Sequence, residues 1–417
     1  MAQETLSLAQ CLQMGIERNL NLKTYEGNVL KGKHNISENR SRLLPQINIG
    51  AALNDNFTPP VSVPDGRAYG KPYNVTKTLQ YSSSASLQLQ MPLYSQTALT
   101  ALEISKTLDQ LNSLSYEKAR EDLIVQISKM YYLAQNTEEQ IGIIKDNIKR
   151  LEELRDITQA FHDNDMALSV DVKRVNVNLE NLSVQYDNAK AMLTQQYNMM
   201  KYVIDYPAEK DITVEKADIE EVNLAALSGL NENLYELQLL RTQQKKLAKS
   251  GYLPTLALTG NWTYMAYTDK FKNWFHSGES NHWYKSNGIG LSLRIPIFDG
   301  LEKRSKIRKA QVDMDNAKLS YENALKGMQT QYANAVNDLA NNQRNFSKQR
   351  DNYLLAEDIY KVTSDRYREG IASMTEVLQD EMSMSDAQNN YLTAHFNYQV
   401  SNLTLLKLTG QLEKLTK

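Results

Sequence analysis

The sequence predicts an α+β chain of 417 residues in which very long helices alternate with short amphipathic strands, the whole plan being written twice. Three observations carry that expectation. The 9 prolines cluster and leave residues 93–206 and 297–417 without any, runs of 114 and 121 residues. Proline breaks helix interiors and central strands alike, so these runs are written to stay unbroken. Motifs recur in the same order at offsets of 204 to 209 residues. The hydrophobic period also switches along each half between two and about 3.6 residues.

The repeat comes first, because a missed repeat misassigns a fold. Leu43-Leu44-Pro45-Gln46-Ile47 returns as Tyr252-Leu253-Pro254-Thr255-Leu256. Leu87-Gln88-Leu89-Gln90-Met91-Pro92-Leu93-Tyr94 returns as Leu291-Ser292-Leu293-Arg294-Ile295-Pro296-Ile297-Phe298, and Leu114-Ser115-Tyr116-Glu117 as Leu319-Ser320-Tyr321-Glu322. The expected copies are 1–207 and 208–417, joined at Pro207. In each copy a helix (5–43; 221–251) meets a proline and becomes a strand (46–57; 254–267). A loop leads to a second strand (79–94; 284–298). A long helix follows (96–161; 300–368), then a break and a last helix (168–205; 373–409). At about 1.5 Å per residue, a helix of roughly 65 residues spans on the order of 100 Å.

The strands are read by face. Tyr81, Ser83, Ala85, Leu87, Leu89, Met91 and Leu93 alternate with Ser82, Ser84, Ser86, Gln88 and Gln90. Ile47, Ile49, Ala51 and Leu53 alternate with Asn48, Gly50, Ala52 and Asn54. The second copy repeats this with Leu256, Leu258, Trp262 and Tyr264, and with Ile289, Leu291, Leu293, Ile295 and Ile297. Period two gives one apolar and one polar face. An ordinary antiparallel sheet lying on helices and a membrane β-barrel both show this pattern. Favouring a barrel, the polar face is small and hydroxyl-rich. All 3 tryptophans, Trp262, Trp274 and Trp283, also fall in one strand–loop–strand with Tyr264, Tyr267 and Tyr284, as an interfacial aromatic belt requires.

The long helix of the second copy carries a heptad seam. Ile307, Ala310, Met314, Ala317, Tyr321, Ala324, Met328, Gln331 and Ala335 are spaced alternately three and four apart. One extra four-residue step reaches Leu339, and the alternation resumes through Asn342, Phe346, Gln349, Tyr353, Ala356, Tyr360, Thr363 and Tyr367. The inserted step is a stutter that locally unwinds a supercoil. The seam is rich in alanine, which suits close approach to several neighbours.

Bulk numbers exclude other classes. Lys plus Arg total 47 against 49 Asp plus Glu, a net charge of -2, which argues against a nucleic-acid partner. No run approaches 18 consecutive apolar residues, so no transmembrane helix is expected. The single Cys11 rules out an internal disulfide framework and reads as a small buried hydrophobe. Met1-Ala2-Gln3-Glu4 leads directly into Leu6-Ser7-Leu8, so the expectation is either a cytosolic chain or a mature-like one without its signal peptide. The 5 histidines are scattered. His162 beside Asp163 and Asp165 reads as an exposed polar turn rather than a metal site. No HExxH, P-loop or dinucleotide signature is present, so no enzyme, cofactor or metal is expected. A soluble coiled-coil scaffold or interaction protein is the alternative from another class.

The duplicated plan resembles the TolC family of outer-membrane efflux proteins. The resemblance covers essentially the full chain. It is carried by Asn19-Leu20, Leu44-Pro45 and Leu253-Pro254, Pro92-Leu93-Tyr94, Pro296-Ile297-Phe298-Asp299-Gly300 and Tyr367-Arg368-Glu369-Gly370-Ile371-Ala372-Ser373-Met374-Thr375-Glu376-Val377-Leu378. It implies an α+β membrane protein. Long antiparallel coiled-coil helices would form a tunnel, and each protomer of a homotrimer would give four strands to a 12-stranded β-barrel built from 46–94 and 254–298. It also implies a location in the Gram-negative outer membrane with the helices in the periplasm. The chain would be a passive exit duct for efflux or type I secretion, fed by a periplasmic adaptor and an inner-membrane pump. On this resemblance Glu376 and Asp171 are gate acids at the tunnel constriction. Gln379 stands where a second acid is often found, and Asp380 is placed to share the face of Glu376. The adaptor-facing tip is Gly370, Ile371, Ala372 and Ser373, with Asn164 and Asp165 in the other copy, whose turn lacks a glycine. Tyr81, Trp262, Tyr264 and Trp283 are the expected aromatic girdle against outer-membrane lipid, and the loops at 57–79 and 268–283 face outward.

Overall fold

The computed structural model describes residues 4–416 except 66, 68, 69, 71, 73, 74, 217–228, 232–234, 236, 239–252 and 274–281. The elements run β1 (Glu4–Leu6), α1 (Leu8–Arg18), α2 (Leu20–Ser41), β2 (Gln46–Asp55), β3 (Val61–Ser62), β4 (Thr76–Lys77), β5 (Tyr81–Ser95), α3 (Gln96–Asp163), α4 (Ser169–Ile204), β6 (Ile212–Val214), β7 (Thr255–Thr268), β8 (His282–Arg294), α5 (Glu302–Arg368) and α6 (Met374–Leu408). The proline-free runs hold α3 and α4, then α5 and α6. Most of the expected helix at 221–251, and Trp274, lie outside the described residues; within that stretch Tyr235, Leu237 and Gln238 are helical.

The chain divides into two compact units, each drawing on both sequence copies. One, Leu30–Gln110 with Gln243–Asn316, holds the four-stranded antiparallel sheet in the order β2-β5-β7-β8. Its register aligns the alternations of all four strands. Ile49 faces Leu87, Leu87 faces Trp262, and Gly260 faces Ile289. Cross-strand partners share a face. One face therefore collects Ile47, Leu89, Leu258, Leu291 and Trp262, and the other Asn48, Gln88, Ser86, Asn261 and Gly288. Among the described residues much of the apolar face is uncovered, with Ile49 83% and Ile289 82% exposed, although Ala266 at the loop end is buried.

The other unit, Met1–Val29, Leu111–Thr242 and Ala317–Lys417, holds most of the buried apolar side chains. One core gathers Leu12, Ile127, Tyr131, Met200 and Ile204 beside the parallel β1–β6 pair, where the Tyr131 hydroxyl donates to the backbone oxygens of Leu6 and Glu215. A second gathers Leu151, Leu154, Val175, Tyr360, Tyr367, Met374 and Val377. The α5 seam is visible in its burial: Met328, Ala335, Leu339, Tyr360 and Tyr367 are all interior.

Three boundaries differ from expectation, each for a local reason. The helix expected over 5–43 starts as a strand and breaks at Asn19, whose backbone is non-helical at ψ 121°. Its side chain accepts from the Leu22 N–H at 3.0 Å, capping α2, and donates to the Val203 oxygen at 2.8 Å. The strand expected over 284–298 stops at Arg294. Its partner β7 begins at Thr255, opposite Arg294, and Pro254 and Pro296 lack the N–H that further pairing would need. The alternation of β5 also shifts between Pro92 and Tyr94, so Tyr94 rather than Leu93 stands opposite Leu256. An extra residue at such a bulge reverses which side chain faces which side.

Candidate functional site

The two turns joining α3 to α4 and α5 to α6 use one backbone solution. A helix end leaves four carbonyls without partners, and a left-handed residue lets the following N–H groups reach back to them. After α5 the residue is Gly370 at φ +76°; Ile371 N–H bonds the Arg366 oxygen at 2.8 Å and Gly370 N–H the Tyr367 oxygen at 2.9 Å. After α3 it is Asp165 at φ 59°, with Met166 N–H to the Phe161 oxygen at 2.7 Å and Asp165 N–H to the His162 oxygen at 3.0 Å. Asn164 adds a side-chain bond to the Ala160 oxygen at 2.8 Å, and a His162 ring nitrogen lies 3.1 Å from the Ala167 oxygen.

The helices that leave these turns begin differently. Ser373 caps α6 through a capping box: its hydroxyl accepts from the Glu376 N–H at 3.3 Å, and the Glu376 carboxylate accepts from the Ser373 N–H at 2.7 Å. The Ser373 N–H first, and then the Ser373 hydroxyl donating to the same carboxylate oxygen at 3.0 Å, hold the Glu376 carboxyl below its ordinary range. Leu168 begins α4 with no side-chain cap. Asp171 in its first turn instead pairs with Arg174 at 3.2 Å. The same Arg174 nitrogen lies 3.4 Å from the Thr375 hydroxyl. One guanidinium thus ties the candidate gate acid of the first copy to the residue beside the candidate gate acid of the second. Gln379 is exposed and Asp380 half-buried on α6.

Beneath the turns the four helices share a core. The buried Tyr367 hydroxyl lies 3.3 Å from the Thr158 hydroxyl, and its ring packs 5.7 Å from Phe161. Arg174 and Thr158 escaped the sequence reading. For Arg174 the signal was available, since a residue three after Asp171 shares its helix face.

The strand aromatics fall at several levels. Trp283 stands opposite Ala266 and Tyr81 opposite Thr268, near the loop end of the sheet. Trp262 and Tyr264, stacked with centroids 6.5 Å apart, sit further along β7. The register brings Tyr81 and Trp283 to neighbouring levels and leaves Trp262 and Tyr264 nearer the middle of the strand. All four share the apolar face.

An antiparallel sheet with one continuous apolar face, on a chain whose helices reach 68 and 67 residues, defines a class: an outer-membrane channel with a helical extension. Among the described residues no helix is long and apolar enough to cross a membrane. The family described as outer membrane efflux protein matches residues 11–202 and 230–411. The chain belongs to that family, and it is an outer-membrane exit duct for efflux. It is 22% identical to the outer membrane protein TolC of Salmonella enteritidis over 402 residues, 91% of this chain and 77% of the relative. To the TolC of Vibrio cholerae it is 23% identical over 405 residues, 91% and 85% of the two chains. Its fold is similar to the Vibrio cholerae outer membrane protein VceC (TM-score 0.75, 13% identity, 97% of this chain and 96% of that one). The Campylobacter jejuni CmeC outer membrane channel is also similar (TM-score 0.73, 18% identity, 97% and 85%).

Proposed function

We propose that three copies of this chain form a passive duct, with no catalysis, that receives substrates from a periplasmic adaptor and an inner-membrane pump. The observation that carries the trimer is the sheet's pair of free edges. Among the described residues β2 and β8 each pair on one side only. In hydrocarbon an unpaired strand edge costs several kcal/mol per group, so a membrane sheet must close on itself. Four strands are too few to close alone, whereas three copies give a 12-stranded barrel with the hydroxyl-rich face inward. The α4 face bearing Val170, Val177 and Val184 supports the same reading: these side chains are exposed in the single chain and recur every seven residues, as suits a neighbouring helix.

In this duct Asp171 and Glu376, with Gln379 and Asp380 on the following turn, ring the periplasmic constriction. Three-fold sets of carboxylates there concentrate and hold cations. Gly370 to Ser373, with Asn164 and Asp165, face the adaptor, and the two copies 1–207 and 208–417 are the repeating halves of the wall. Tyr81 and Trp283 anchor the barrel at the interface near the loops, and Trp262 and Tyr264 complete the aromatic set.

Native mass of the detergent-extracted outer-membrane fraction tests the assembly. Three chains per particle is the expected result. A soluble single chain or dimer would overturn the reading.

A further inference from the structure

The two sequence copies meet along α3 and α6. Asp122 contacts Lys407 at 2.7 Å, Glu139 contacts His395 at 3.8 Å, and Asn147 donates to Gln388 at 2.8 Å. As α3 advances from 122 to 147, α6 runs back from 407 to 388, so the helices are antiparallel and cross-linked by polar side chains throughout. Ser128, Gln399 and Asn402, all buried within this span, each have a side-chain atom with no direct partner. An apolar interface would be the less costly way to join two helices, because an unsatisfied buried polar group forfeits its hydrogen bonds to water.

The joint ends in a poised pair. Glu381 of α6 is only 5% exposed, and its Oε1 has no hydrogen-bond partner. Arg150 of α3 donates from Nη2 to Asn147 Oδ1, while its buried Nε is also without a partner. Among the described residues no ion pair joins the two. Burial raises the Glu381 carboxyl's affinity for its proton, Arg150 opposes this, and Asp386 on the same helix adds to it. From α5 the buried Tyr360, whose hydroxyl feels the charges of both Glu381 and Arg150, and from α4 the apolar Val175 and Leu182 belong to the adjoining core.

We propose that Glu381 is a proton-operated switch in the α3–α6 joint, neutral in this packing, and that loss of its proton to water draws the Arg150 guanidinium off Asn147 and releases the Asn147–Gln388 bond. The physical reason is an exchange of partners. A neutral carboxyl makes no demand on Arg150, which is then free to brace Asn147. An isolated carboxylate in that core is costly unless it gains a charged hydrogen-bond partner, and Arg150 is the cation at hand. The Asn147 amide, no longer braced, loses the geometry that binds Gln388.

The test is hydrogen exchange on the full chain in detergent, corrected for intrinsic rates, across mild acid to mild alkali. Protection around Asn147 and Gln388 should fall several-fold as pH rises in the wild type. Glu381→Gln should hold the acid-form protection at every pH. If Glu381→Gln keeps the wild-type pH response, or the wild type has none, the switch is overturned. Arg150→Met is the second variant, read by pH-difference infrared spectroscopy and useful even if Glu381→Gln fails to assemble. Removing the attracting cation should move the titration of a buried carboxyl band to higher pH. A band that does not move would also overturn the proposal.

Discussion

The two helix turns share a backbone and differ in side chains, and the difference separates what a reversal requires from what it tolerates. Both close with the same pair of reach-back hydrogen bonds around one left-handed residue. The second turn meets that geometry with Gly370 and starts the next helix with a full capping box. The first uses Asp165, an L-residue held at positive φ, and starts α4 on an uncapped leucine. A fold held by four packed helices does not need both turns optimised, so the first is the weaker of the two.

Local opening energies from amide exchange at each turn measure this difference. Gly370→Ala should have the largest effect, destabilising the second turn by about 1–2 kcal/mol, because a Cβ is strained in the left-handed region. Ser373→Ala should follow at about 1 kcal/mol, the usual cost of losing a helix N-cap. Equal loss from Asp165→Gly would contradict the comparison; that change should instead stabilise the first turn, by less than about 1 kcal/mol. Leu168→Ser, which installs the missing cap, should add a few tenths to about 1 kcal/mol. The smallest effect is one of pH. The folded Glu376 carboxyl titrates below its ordinary value. Its contribution to the second turn is therefore present above the ordinary glutamate range and is lost as pH falls through the lowered value. The second turn should fray in acid. Glu376→Gln should remove that dependence, because the amide oxygen of the variant still accepts from the Ser373 N–H and preserves the box. Fraying that persists in the variant would assign the acid response elsewhere.

Much of the strand unit was legible because period two survives in the register: Ile49, Leu87 and Trp262 lie in one row across three strands. The turn at Gly370 was legible because few residues other than glycine fit there. The bulge between Pro92 and Tyr94 was not, since an extra unpaired residue leaves no compositional trace. Nor was the break at Asn19, which depends on Val203 arriving from a distant helix. At the candidate site, the sequence placed Asp171 and Glu376 in first helical turns but did not reveal that each already has a partner, Arg174 and Ser373. Glu381 carried a signal that went unread. It continues the spacing of Met374, Val377, Met384 and Gln388, all buried on α6, and an acid on such a seam is an acid taken from water.

The proposed cation-binding constriction, formed by the turns of the two copies together, has a direct electrical consequence. Single-channel conductance of the reconstituted protein with an added multivalent cation tests it most directly. Block of the wild-type current, relieved when Asp171→Ala and Glu376→Ala are combined, is the predicted result. Block that is unchanged in the double variant would contradict it.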